Sequence, residues 1–190
     1  GIYIGGASVE RGSLIILNNA NKISQMIPLP SAPTDIAFGK DELSISLAGS
    51  LRLSPGKNKF GDLITLLRNP GELHYSSFRK FLSQLNRPVQ TVFEDVTDNG
   101  LNDILVAEFG YYTGSLTLFE NSGNPEHPYK KTTLKNVAGA IHAVVKDMNG
   151  DGKKDIVALF AQGDEGISIF YNEGEGQFTE ERVLRFPPTY

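Results

Sequence analysis

The chain has 190 residues, enough to bury a sizeable core, with a formal net charge of −4, 20 Gly, 10 Pro and no Cys. Disulfide stapling is excluded, and no apolar run approaches the ~18–20 residues of a membrane span. Lys and Arg are scattered along a mildly acidic chain, which argues against a nucleic-acid partner; the lack of Cys does not fix the compartment.

Gly1-Ile2-Tyr3-Ile4-Gly5-Gly6 reads as a strand entered part-way, so the first unit is expected to lack its innermost strand. Gly12-Ser13-Leu14-Ile15-Ile16-Leu17, followed by Asn18-Asn19, reads as a strand and its turn. A second unit follows, with strands predicted at Thr34–Phe38, Leu43–Ala48 and Asp62–Leu67 and a fourth segment from Leu73. Its first loop, Gly39-Lys40-Asp41-Glu42, is too short and too poor in oxygens to hold a cation. Between Ser76 and Asn86, Phe78, Phe81, Leu82 and Leu85 fall at i, i+3, i+4 and i+7. With a Ser to cap the start and Arg87-Pro88 to end it, this spacing predicts a short inserted helix near 76–86, packed on the rim of a blade.

The third unit opens with the loop Asp95-Val96-Thr97-Asp98-Asn99-Gly100-Leu101-Asn102-Asp103, then the apolar run Ile104-Leu105-Val106-Ala107. The fourth opens with Asp147-Met148-Asn149-Gly150-Asp151-Gly152-Lys153-Lys154-Asp155, then Ile156–Phe160. The two loops start 52 residues apart, at 95 and 147. The first apolar residue of a later strand recurs at Leu14, Leu63, Leu116 and Ile167, at intervals of 49, 53 and 51. Periods of about 40–50 residues with several strands per unit indicate propeller blades. The expected fold is therefore all-β, with blades of four antiparallel strands. The repeats fall at 1–30 (incomplete), 31–90, 91–136 and 137–186, in one propeller fragment spanning 1–190. In the fourth unit the strands are predicted at Ala140–Lys146, Ile156–Phe160, Ile167–Tyr171 and Gln177–Leu184. The segment after Arg185 stops where another unit would begin, so the chain reads as part of a larger propeller, with a closed four-blade ring as the alternative.

In the loop from Asp147, oxygen side chains fall at positions 1, 3, 5 and 9, and Gly152 at position 6 allows a sharp turn. Alternate residues of such a loop point inward, and the Lys153 carbonyl fills a gap. An oxygen-only donor set favours Ca²⁺ over zinc or copper. The loop departs from an EF-hand because Ala158, not an acid, occupies position 12; Asp155 must close the site. The competing reading is an Asx/Gly turn that binds nothing.

These residues resemble the FG-GAP (VCBS) repeats of integrin α-chain heads and bacterial surface proteins, most clearly over about Val92–Phe178. The resemblance rests on the D-x-N-G-D-G-x-x-D-I-V loop and strand and on the later G-x-L/I-x-L/I-F and N-x-G elements. It implies Ca²⁺ on Asp147, Asn149, Asp151, Lys153 and Asp155, and in the upstream loop on Asp95, Asn99, Leu101 (by its carbonyl) and Asp103. It also implies that partners dock on the opposite face, at the loops joining the second and third strands of each blade. There Arg52, Lys57, Lys59, Phe109, Tyr111 and Tyr112 are the candidate partner-binding residues. The implied function is non-catalytic: calcium-stabilised recognition or adhesion of a protein or glycan, extracellular, on the cell surface or in the periplasm. End blades would expose edges and apolar faces that favour self-association. His74, His127 and His142 sit in no catalytic motif, and no phosphate loop or nucleophile elbow is present. The alternative is a propeller domain of a larger secreted carbohydrate-active or redox enzyme.

Overall fold

The computed structural model describes residues 2–8, 11–39, 42–49, 60–72 and 74–187. They form fifteen strands and no helix. The strands are β1 (Ile2–Ser8), β2 (Arg11–Leu17), β3 (Ile23–Leu29), β4 (Pro33–Phe38), β5 (Glu42–Leu47), β6 (Gly61–Arg68) and β7 (Tyr75–Leu85). They continue as β8 (Pro88–Glu94), β9 (Asp103–Glu108), β10 (Ser115–Asn121), β11 (Tyr129–Lys135), β12 (Ala140–Lys146), β13 (Asp155–Phe160), β14 (Gly166–Gly174) and β15 (Gln177–Arg185). Four antiparallel sheets result, each a meander: β1-β2-β3, β4-β5-β6-β7, β8-β9-β10-β11 and β12-β13-β14-β15. The observed strands of the fourth sheet match the predicted ones to within a few residues at their ends.

The sheets fall into two compact units, residues 1–89 and 90–190. In the first, one face of β1-β2-β3 packs on one face of the second sheet. Leu14, Ile16 and Leu29 meet Leu43, Ile45, Leu47, Ile64, Leu66 and Tyr75 in one buried cluster. The Gln25 amide ties the outer strands together, donating to the Tyr75 carbonyl at 2.7 Å and accepting its N–H at 3.0 Å. In the second unit β9 is buried throughout: each face carries two apolar residues and one hydrogen-bonded acid, Asp103 with Leu105 and Ala107 on one and Glu108 with Ile104 and Val106 on the other. Glu108, 1% exposed, accepts hydrogen bonds from Ser115 and Thr117, each at 3.1 Å.

The expected helix near 76–86 is a strand. β7 sets eleven residues against the eight of β6, with register shifts at Gly61/Leu63, Leu63/Ile64 and Leu67/Arg68. Each bulge inserts an extra residue between inward-facing positions. The apolar spacing is thereby stretched from two toward three or four, which imitates a helical period. Tyr75 and Leu85 are buried at its ends, and Gln84 takes a positive φ of 59° beside the last bulge.

Candidate functional site: two acidic loops and the opposite loop face

The β12–β13 loop is built from side-chain caps on its own backbone. Asp147 accepts the N–H of Gly150 at 2.7 Å on Oδ1 and of Gly152 at 3.0 Å on Oδ2. Asn149 Oδ1 takes the Asp151 N–H at 2.9 Å, and Asp151 Oδ1 takes the Lys153 N–H at 2.8 Å. These are successive Asx turns. Gly150 and Gly152 have φ of 81° and 87°, a left-handed backbone that Gly adopts without Cβ strain. The Lys153 N–H, then Asn149 and the Lys153 charge, hold the Asp151 carboxyl below its ordinary pKa.

Asp155 behaves differently. It is fully buried at the head of β13, with Oδ2 on the Met148 N–H at 2.8 Å and Oδ1 on the Asn172 N–H at 2.9 Å. It therefore pins the loop to the end of β14. Asn172 extends the tie: its Nδ2 donates to the Val96 carbonyl at 2.8 Å in the neighbouring loop, and its Oδ1 accepts the Gly174 N–H at 2.9 Å. Lys154 reaches Glu94 at 2.5 Å, and that hydrogen bond raises the lysine's pKa.

The β8–β9 loop repeats the plan with one change. Asp95 accepts the N–H groups of Asn99 at 3.0 Å and Gly100 at 2.9 Å, and Asn99 Oδ1 accepts the Leu101 N–H at 2.9 Å. The fully buried Asp103 carries four donors: the N–H of Val96, Thr97 and Asn121 and the Thr97 hydroxyl, at 2.8 to 3.0 Å. A carboxylate offers about four lone-pair sites. Asp103 is therefore saturated, whereas Asp155 takes two such donors and keeps acceptor capacity.

Among the described residues no three acidic, histidine or cysteine side chains converge into a ready-made metal cluster. The residues of the β12–β13 loop nonetheless suit a hard cation in their chemistry. Asp147, Asn149 and Asp151 are oxygen donors on a solvent-facing loop, each with lone pairs beyond those its N–H partners use. Asn121 and Asn172 were not singled out from the sequence. Their N-x-G recurrence was visible, but not that each amide would close its loop onto the next strand.

At the other end of the second unit, the loop from Phe109 to Thr113 meets the loop from Ala161 to Glu165. Gln162 Nε2 donates to the Tyr111 carbonyl at 3.0 Å, and the Gly139 N–H to the Phe109 carbonyl at 2.7 Å. Tyr111 and Tyr112 stand edge to face, with ring centroids 4.7 Å apart, and Tyr112 is 67% exposed. Phe109 and Tyr111 are half-buried. Arg52, Lys57 and Lys59 lie outside the described residues.

Compared with curated proteins and with solved structures, the chain has no significant match. A family model described as an FG-GAP-like repeat matches residues 95–158 and 147–190, which together span half of the chain and contain both acidic loops. The first match runs from the head of one acidic loop into β13 and the second from the head of the other acidic loop to residue 190, and the chain belongs to the FG-GAP-like repeat family.

Proposed function

We propose that the chain is a non-catalytic calcium-binding module of β-propeller blades, exported from the cytosol, that serves recognition or adhesion of a protein or carbohydrate. The observation that carries the calcium reading is the donor inventory of the loop from Asp147. Asp147, Asn149, Asp151 and Asp155 retain spare acceptor sites, and the Lys153 carbonyl adds a neutral oxygen. A bound Ca²⁺ would neutralise three carboxylates held within nine residues and so rigidify the hairpin. The loop from Asp95 offers less: Thr97 stands at position 3, and its hydroxyl spends itself on Asp103. We rank that site, with Asp95, Asn99, the Leu101 carbonyl and Asp103, as the weaker one. A Kd on the order of 10⁻⁴–10⁻³ M would leave such loops filled outside the cell and mostly empty in the cytosol, which supports the extracellular assignment.

The face bearing Tyr111 and Tyr112 is the proposed ligand surface. Its loops are tied to each other through Gln162, so an exposed aromatic is presented with little ordering left to do on binding. Thermal unfolding with EDTA and with millimolar CaCl₂ tests the calcium reading. At a calcium concentration about a hundred times Kd, binding adds ~2.7 kcal/mol and raises the midpoint by several degrees. Asp151→Ala is expected to abolish that rise. An unchanged midpoint in both proteins would reduce the loop to a turn.

A further inference from the structure

The chain contains two Asn–Gly pairs, Asn99-Gly100 and Asn149-Gly150, one in each acidic loop. Asn followed by Gly is the pair most open to imide formation, because a residue without Cβ lets its backbone nitrogen approach the Asn side-chain carbon. All four residues are exposed.

Most of their surroundings match. Gly100 and Gly150 have φ of 82° and 81°, and a Cβ on either would meet nothing within 4 Å. Each Gly N–H donates to the Asp that opens its loop, Gly100 to Asp95 at 2.9 Å and Gly150 to Asp147 at 2.7 Å. Each Asn Oδ1 accepts the N–H two residues ahead, at 2.9 Å. The difference lies at the amide nitrogen. Asn99 Nδ2 donates out of its loop to the Asn121 carbonyl at 2.8 Å, which ties the side chain to the end of β10. Asn149 Nδ2 donates within its own loop, to Asp151 Oδ2 at 3.2 Å. Ring closure must swing the Asn side-chain carbon onto the Gly nitrogen. At Asn149 this disturbs only contacts inside the loop; at Asn99 it must also break the tie to β10.

We propose that Asn149 is a site of spontaneous modification, converting through a succinimide to aspartate and isoaspartate, and that the Asn121 carbonyl holds Asn99 back. In the first step the Gly150 nitrogen bonds to Asn149 Cγ and the Cγ–Nδ2 bond breaks. The Gly150 proton already points at Asp147 Oδ1, which passes it to the departing amide nitrogen; ammonia leaves and the carboxylate is regenerated. The Asp151 N–H on Asn149 Oδ1 stabilises the charge that builds on that oxygen. Water then opens the ring. Addition at Cγ gives aspartate, and addition at the backbone carbonyl carbon gives isoaspartate.

The two products alter the loop in opposite directions, a consequence that rests on the calcium reading. Aspartate adds a carboxylate at position 3, and a higher ligand charge tightens binding. Isoaspartate lengthens the backbone by a methylene and shifts Asp151 and the Lys153 carbonyl relative to Asp147.

The test is to age the whole chain at mildly alkaline pH in heavy-oxygen water, folded and in urea, and to follow each Asn by peptide mapping with mass detection. EDTA throughout makes the outcome independent of the calcium reading. In the folded chain Asn149 is expected to convert about three- to tenfold faster than Asn99, the worth of one hydrogen bond. In urea the two rates are expected to converge. Gly150→Ala is expected to stop conversion at Asn149 and to leave Asn99 unchanged, because a Cβ hinders ring closure. Asn99 converting as fast as Asn149 in the folded chain, a gap that persists in urea, or Gly150→Ala converting like wild type would each overturn the proposal. So would Asn149 reacting no faster than Asn102, which precedes Asp103. The wild-type comparison between folded chain and urea decides the matter if Gly150→Ala fails to fold.

Discussion

Asp155 and Asp103 show how one residue type at one loop position can do two jobs. Each is fully buried, and each gathers backbone N–H groups from its own loop and from the end of the strand that follows its own. Asp155→Ala strands two N–H donors and is expected to cost about 2–4 kcal/mol in urea unfolding even in EDTA. Asp103→Ala, which strands more donors, should cost more. A loss seen only with calcium present would mean that Asp155 acts through the ion alone. Position 9 was legible from the spacing of oxygens along the loop, but its burial was not. Burial is decided by Asn121 and Asn172, which lie 18 and 17 residues beyond the aspartates they close upon.

Among the elements, the strands with strict alternation or a continuous apolar run were legible, because two-residue periodicity and burial on both faces agree there. β7 was not, because three bulges disguise its period, and only its pairing with β6 reveals a strand. Ties between elements were also hidden in the sequence. Arg182 of β15, and then Lys135 of β11, hold the Asp164 carboxyl down to about 2, from an ordinary 3.8. A folded pKa below the unfolded one gives stability that is complete above about pH 4 and is lost as pH falls toward 2. Asp164→Asn is therefore expected to be less stable than wild type by about 1–2 kcal/mol at neutral pH. The difference should vanish near pH 2, as urea unfolding at stepped pH would show; a constant difference would place the cause elsewhere. Gly166 is a second test. Its φ is 152°, and a Cβ there would sit 2.0 Å from the Leu184 carbonyl oxygen. Gly166→Ala must push β14 and β15 apart and is expected to cost about 3 kcal/mol or more.

Taken as a whole, the molecule is four similar sheets, and the repeat of about fifty residues was the feature the sequence carried most plainly. Far-UV circular dichroism is expected to show a strand spectrum without the double minimum of helix, which would remove any remaining role for a helical insertion. Beyond these points, every sheet ends in an outer strand, β3, β7, β11 or β15, that meets its neighbour through at least one register shift. Pro28 interrupts the donors of β3, and Arg79 and Lys80, Lys130 and Lys131, or Glu180 and Glu181 charge the others. A kinked, charged border is a poor template for an incoming strand. The rims should therefore resist cross-β growth and strand exchange between look-alike repeats, a hazard that four similar sheets in one chain would otherwise carry.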